Sequence, residues 1–351
     1  LALTPAADAS RRDLTERLAA SLYKQGEQAR TAGDTRRAAE LFARVTTETP
    51  EASARVAAQF DAATQRLALK DWAGASQLLE DFRQRFPRDA LQAQVPPKLA
   101  LAYSEQGRWA DAAAEAERIA QSETDPERAQ AARWQAALWA DQAQATPGVG
   151  PRARAEAARS WEAYWRAHPQ PLPEAIEALN HLVLLAHADG QTPRERQWQR
   201  TLVQAEAAGG GARNERSRSL AAQAALALAD EDGEAFRAVA LKEPLQKSLA
   251  SKKARLETAL QAYARVADYG TAEAVTAATF RTAALYQDFG RALMDSERPR
   301  KLSKLEREQY DVMLEEQAYP FEEKAIGLHE ANAARAPQGL YDRWVRQSFD
   351  A

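Results

Sequence analysis

Three blocks of this sequence repeat one spacing of small and bulky residues. Asp34-Ala38-Phe42-Pro50 aligns with Asp71-Ala75-Leu79-Pro87 and with Arg108-Ala112-Ala116-Thr124, at offsets of 4, 8 and 16, and the blocks start 37 residues apart. A period of this length marks a supersecondary unit that cannot bury its apolar face alone, so copies of it must stack. Each block follows another stretch of helical apolar period, Leu18 to Ala32, Val56 to Leu69 and Leu99 to Glu105. The spacing therefore predicts helix pairs, A then B. Positions four apart share a helix face, so Ala38, Ala75 and Ala112 let helix B come close while Phe42, Leu79 and Ala116 fill the seam one turn on. Gly33 is expected to leave helix A in a left-handed conformation, and Pro50 and Pro87 to end helix B for want of an N–H.

At these residues, roughly 16 to 124, the chain resembles the tetratricopeptide repeat family. Gly26 stands where the family places a small residue for helix contact, and Tyr103 where it places an aromatic. The sequence departs from the family in a period of 37 against about 34, and in Ala63 and Ala100 at the helix A glycine. The extra residues are expected between repeats, near Thr47-Glu48-Thr49 or Arg88-Asp89-Ala90. The resemblance implies an all-α fold, a right-handed superhelical solenoid of antiparallel helix pairs. It also implies a concave groove lined by helix A residues that the seam does not use. Those are Tyr23, Glu27 and Arg30, then Phe60, Thr64 and Leu67, then Pro97, Leu101 and Ser104. The partner expected there is another protein, docking through a peptide or helical segment. The Lys and Asn with which some family members clamp a chaperone's terminal carboxylate are absent from these places.

Further on, Glu127 to Gln144 and Ala153 to Ala167 read as a fourth, stretched pair around Pro147-Gly148-Val149-Gly150-Pro151, with Ala157, Trp161 and Tyr164 in its seam. Glu174 to Ala188 and Pro193 to Ala208 form another, closed by Gly209-Gly210-Gly211. Beyond it come Arg213 to Ala229, Glu234 to Leu241 and Leu245 to Tyr269, a helix pair turning at Ser296-Glu297-Arg298-Pro299, a helix from Glu306 to Ala336 interrupted at Pro320, and a final helix. The sequence thus divides into repeats over 1–211 and a C-terminal region of longer, irregular helices over 212–351 that continues the solenoid. Phe280 to Phe349, with Tyr286-Gln287-Asp288-Phe289-Gly290-Arg291-Ala292-Leu293 and Glu315 to Ile326, is similar to the C-terminal stretch of repeat-rich proteobacterial cell-envelope proteins. That similarity implies a periplasmic or outer-membrane-associated, membrane-proximal location with envelope components as partners; composition leaves a cytoplasmic one open. A chain that starts at Leu1 and stops at Ala351 is expected to be a piece of something longer.

Composition excludes more than it assigns. Hydrophobic residues are 45% and charged residues 28% of the chain, which suits helices with narrow seams facing much water. With 47 Lys+Arg against 50 Asp+Glu, no general attraction for nucleic acid or anionic membrane is expected, and no apolar run reaches transmembrane length. Zero cysteines exclude disulfides, thiolate metal sites and cysteine nucleophiles. His181 and His187 are six apart and so not a metal-binding i, i+4 pair. Gly209-Gly210-Gly211 has no Lys-Ser/Thr after it, so it reads as a joint and not a phosphate loop. No catalytic residue, cofactor or metal is assigned.

Trp72, Trp109 and Trp161 are expected in buried seams, whereas Trp134, Trp139, Trp165, Trp198 and Trp344 do not all fall on an assignable seam, and ordinary burial is expected for them ahead of lining a groove where a peptide packs. The basic stretch Arg298 to Lys304 reads as a turn before an amphipathic helix, or as a docking surface for an acidic partner or phospholipid. The reading that follows is a non-catalytic interaction scaffold. The alternative is a helical superstructure or activator of a peptidoglycan-processing enzyme whose catalytic part lies elsewhere.

Overall fold

The computed structural model describes residues 9–148 and 150–351. Val149, within the turn expected in the fourth repeat, lies outside the described residues, as do residues 1–8. Among the described residues there are fifteen α-helices, three short 3₁₀ turns and no strand. The chain divides into two compact units, 1–164 and 165–351.

The first unit holds α1 (Ala9–Thr31), α2 (Thr35–Glu48), α3 (Arg55–Ala68), α4 (Trp72–Arg85), α5 (Val95–Glu105), α6 (Trp109–Ser122), α7 (Pro126–Ala145) and most of α8 (Pro151–Ala167). From α1 to α7 each helix packs on the next, and α3 also touches α5, one repeat along. Helices joined by turns this short must run antiparallel, and contact between successive A helices is the mark of stacked pairs.

The repeat is written most clearly in the turns. Helix A ends at Gly33 (φ +80°), Lys70 (φ +59°) and Gly107 (φ +70°), all left-handed and 37 apart. The next residue's N–H then reaches back five positions, from Asp34 to the Ala29 carbonyl, Asp71 to Arg66 and Arg108 to Tyr103, each at 2.9 Å. This closure satisfies carbonyls that a helix end otherwise leaves open. Asp34 and Asp71 go on to cap helix B, accepting from the N–H of Arg37 and Gly74 at 3.0 Å. Arg108, in the same place, makes no side-chain cap.

In the seams, Ala38, Ala75 and Ala112 are fully buried, as are Phe42 and Leu79. Gly26 explains the small helix A position: a Cβ there would stand 2.6 Å from the Phe42 ring. Helices α2 and α4 stop just before Pro50 and Pro87, with Thr49 and Phe86 as the last capped residues. The residues beyond the family's period occupy 49–54 and 86–94, the latter including a 3₁₀ turn, Ala90–Gln94. The fourth pair closes through aromatics. Trp161 donates to Asp141 at 2.8 Å, and Trp134 meets the Trp161 and Tyr164 rings edge-on at 4.9 and 5.0 Å.

The second unit holds α9 (Leu172–Ala188), α10 (Thr192–Ala207), α11 (Glu215–Arg237), α12 (Leu245–Ala267), α13 (Ala272–Met294), α14 (Lys304–Ala333) and α15 (Arg343–Asp350). Successive helices pack again, with α9 on α11, α11 on α13 and α13 on α15. Phe236, Tyr263, Leu285 and Phe289 share one buried apolar core in it.

Three expectations are corrected here. Residues 213–241 are not two helices, because α11 runs unbroken through Asp230-Glu231-Asp232-Gly233. Gly233 is there for the approach of α12, since a Cβ would stand 2.8 Å from the Tyr263 hydroxyl, and that hydroxyl donates to Asp230 at 2.7 Å. Pro320 does not interrupt α14. It lies on the exposed side, while buried Ala318 and Ala325 anchor the helix on either side of it. Finally, Trp72 and Trp109 are only half-buried, at the first turns of α4 and α6, whereas Trp161 lies fully buried in its seam.

Lys70 holds a conformation that costs a residue with a Cβ about 1 kcal/mol, and its side chain is exposed. Lys70→Gly is expected to raise stability by a few tenths to about 1 kcal/mol, and Gly33→Ala to lower it by about 1 kcal/mol. Urea unfolding midpoints of the two variants against the parent check both signs.

Candidate partner-binding site

The nine groove candidates keep one register, with 23, 60 and 97 equivalent, then 27, 64 and 101, then 30, 67 and 104. Their fates differ. Tyr23 donates its hydroxyl to Asp61 at 2.6 Å, and Arg30 donates to the other oxygen of Asp61 at 3.4 Å. These bonds tie α1 to α3. Burial, with the Asp61 carboxylate beside it, holds the Tyr23 hydroxyl well above the ordinary tyrosine range, so it stays a donor. Its ring packs on Phe42 at 5.2 Å.

Phe60 is core, not surface: it is 7% exposed and packs on Phe82 at 5.6 Å. Leu67 is half-buried against the same cluster, and Thr64 spends its hydroxyl on the Phe60 carbonyl at 3.0 Å. Ser104 likewise donates to Leu101 at 3.0 Å. What remains for a partner is Glu27 with the outer side of Arg30, 3.7 Å apart, and the exposed Pro97 and Leu101. Beside Glu27 lies a shallow depression of about 450 Å³, lined with Lys24, Gln28 and Thr31.

Sequence reasoning missed Asp61, and with it a recurring device. Tyr103 donates to Glu80 at 2.7 Å under the Arg108 guanidinium, and Tyr263 donates to Asp230 beside Arg281. In each case a tyrosine hydroxyl and an arginine meet at one carboxylate between helices. The signal was a tyrosine and an acid on different helices, and no local pattern announces such a pair. The buried ion pairs were equally silent. Glu115, 4% exposed, takes both oxygens to Arg83 at 2.7 and 2.5 Å, and fully buried Glu206 pairs with Arg213 at 2.6 Å.

The remaining candidates are structural. Arg298 is turned inward, donating to Asp311 at 2.6 Å and to the Ser296 and Met294 carbonyls, so it closes the end of α13 and is not free for docking. Gly209 packs where a Cβ would overlap Leu172. His187 faces Glu195 at 3.1 Å. His329 is buried against Phe280, and neither ring nitrogen has a partner. Among the described residues no group of His, Asp and Glu could hold a metal, and no helix is long and apolar enough to cross a membrane.

No protein-family model matches the chain, and no curated protein matches it. Solved structures similar to it include a tetratricopeptide repeat protein from Parabacteroides merdae, at 10% identity and TM-score 0.33 over 85% of this chain and 99% of that one. Another is the tetratricopeptide domain of P58(IPK), at 15% identity and TM-score 0.27 over 95% and 96%. The myosin chaperone UNC-45 from C. elegans, in complex with an Hsp90 peptide, aligns at 15% identity and TM-score 0.29 over 95% of this chain and 34% of that one. The tetratricopeptide-like character of the fold stands on this chain's own features: the paired helices, the left-handed turns 37 apart and the Gly26–Phe42 contact.

Two measurements follow. Arg83→Ala leaves buried Glu115 with only the half-exposed Arg118, 3.6 Å away, and is expected to cost about 2 to 3 kcal/mol, much of it restored by adding Glu115→Gln; urea denaturation of the single and double variants checks this. Burial holds the His329 imidazole below its ordinary value of 6.5, so the unfolded chain takes up the proton first as pH falls. Its contribution is therefore intact above about pH 6.5 and is lost on acidification, by at most about 1.4 kcal/mol per pH unit. Unfolding midpoints at several pH values should fall less steeply below pH 6.5 in His329→Met.

Proposed function

We propose that this chain is a non-catalytic protein-interaction scaffold of the bacterial cell envelope, and that its first unit receives a peptide or helical segment on the A-helix face of α1, α3 and α5. One observation carries the reading. Tyr23 and Arg30 of α1 both bond Asp61 of α3, which fixes these two A helices side by side. Glu27, Pro97 and Leu101 stay outside the core on the A-helix face. A face whose side chains are held before binding loses little freedom when a partner arrives. The groups that would do chemistry elsewhere, the buried carboxylates and tyrosine hydroxyls, serve here to join helices. The envelope location rests on the sequence similarity of Phe280 to Phe349.

The test uses the full chain as bait in extract from the native organism, against a Glu27→Lys/Leu101→Asp variant. Both residues lie outside the core, so the variant should keep its helicity and unfolding midpoint while losing the proteins that co-purify with the parent. Unchanged capture would remove the face from the mechanism, and turnover of a substrate by the isolated chain would end the scaffold reading. Fractionation of that organism is expected to find the chain with periplasmic or outer-membrane material.

A further inference from the structure

Helix α14 has two apolar sides, and the fold uses only one. Leu314, Ala318, Ala325, His329 and Asn332 are buried, and the Asn332 amide bonds the Thr276 carbonyl of α13 at 3.1 Å and Ser348 of α15 at 2.9 Å. About a third of a turn away stand Leu305, Val312, Tyr319 and Ile326, each 54–65% exposed and each seven residues from the next. Seven residues fall about 20° short of two full turns. The four side chains therefore form one shallow row about 32 Å long.

The row has a second component in the same register. Three and four residues after each member come Glu308-Gln309, Glu315-Glu316, Glu322-Glu323 and His329-Glu330. All six glutamates are exposed, and none is in an ion pair among the described residues. The helix's other charges do not offset them. Asp311 is held by Arg298, and Lys324 leans over the Tyr286 and Phe321 rings at 5.5 and 5.9 Å. Across the helix, eight Asp and Glu face three Lys and Arg, a balance of -5 against -3 for the whole chain.

Single exposed apolar side chains are ordinary on any protein. Four in heptad register with paired glutamates between them are a pattern, and we infer that it is a docking face for a basic amphipathic helix of a partner protein. The period of seven is that of one helix lying along another. A partner's apolar residues would seat on Leu305, Val312, Tyr319 and Ile326, and its lysines or arginines would meet the glutamates on both flanks. The same charges oppose other occupants. A second copy of α14 would set glutamate against glutamate, and an anionic bilayer or a nucleic-acid backbone is repelled. The inference rests on the scaffold reading but lies in the other unit, on residues the A-helix face does not use.

The probe is a synthetic helical peptide of about three to four heptads, with Leu along one row and Lys on both flanks, and a counterpart in which Glu replaces every Lys. Titrated by fluorescence anisotropy against the full chain, the Lys peptide should bind saturably and the Glu peptide should not. Val312→Ser/Ile326→Ser should weaken binding by about ten-fold or more, and so should Glu315→Gln/Glu316→Gln/Glu323→Gln. Circular dichroism confirms that these outward substitutions leave the fold intact, and Glu27→Lys/Leu101→Asp should bind the peptide as the parent does. That separates failure here from failure of the A-helix face. The inference is overturned if the Lys peptide does not bind, or binds equally well without Val312 and Ile326, which would mean adsorption by charge alone. Dimerisation in sedimentation velocity, or adsorption to phosphatidylserine vesicles, that disappears with Val312→Ser/Ile326→Ser would equally overturn it.

Discussion

Two helices can lie close along their length only where one of them gives up side-chain volume to the other, and this chain is organised around that exchange. Gly26 yields to Phe42, Gly233 yields to Tyr263, and Ala38, Ala75 and Ala112 are buried without remainder. Close approach of backbones makes the seam narrow, and a narrow seam buries few residues per turn. The rest of each helix is left to water, which is why an alanine-rich chain can carry so many charges and still fold. The turns serve the same end. A left-handed residue at 33, 70 and 107 reverses the chain within a few residues, so that helix B returns directly onto helix A.

Much of this was legible in the sequence because it is local. An offset of four residues is a helix face, and a spacing of 37 is a repeat, whatever the rest of the chain does. The reading failed where local signals carry a different meaning in three dimensions. Asp230-Glu231-Asp232-Gly233 has the composition of a turn, yet the glycine serves a crossing helix and the aspartate accepts from its tyrosine. Pro320 has the signature of a break, yet packing of α14 on both sides of it outweighs one missing donor. Lys70 occupies a glycine's conformation, and no residue type announces that.

The candidate site was legible only in its register. Positions equivalent to 23, 27 and 30 do recur along the A helices, but which of them face a partner depends on contacts between repeats. Tyr23 and Phe60, the two most conspicuous aromatics among them, turn out to hold the stack together, one through Asp61 and the other through Phe82. An aromatic on a repeat protein's surface positions is ambiguous in this way, because the next repeat is itself a binding partner. The residues left over are the plainer ones, Glu27, Pro97 and Leu101.

The charges divide along the same line. Most of those that decide anything are spent inside the molecule: Asp61 and Glu80 on tyrosines, Glu115 and Glu206 on arginines, Arg298 on two carbonyls, and Lys252 on the open end of α11 through Phe236 and Val239. Against that background the glutamates of α14 stand apart, since they are regular, exposed and unmatched. A near-neutral total of -3 conceals the difference, because it sums charges already neutralised between helices with charges that remain available. For a stack of helices, recognition is therefore governed less by the balance of acids and bases than by which of them the neighbouring repeat has left unpaired.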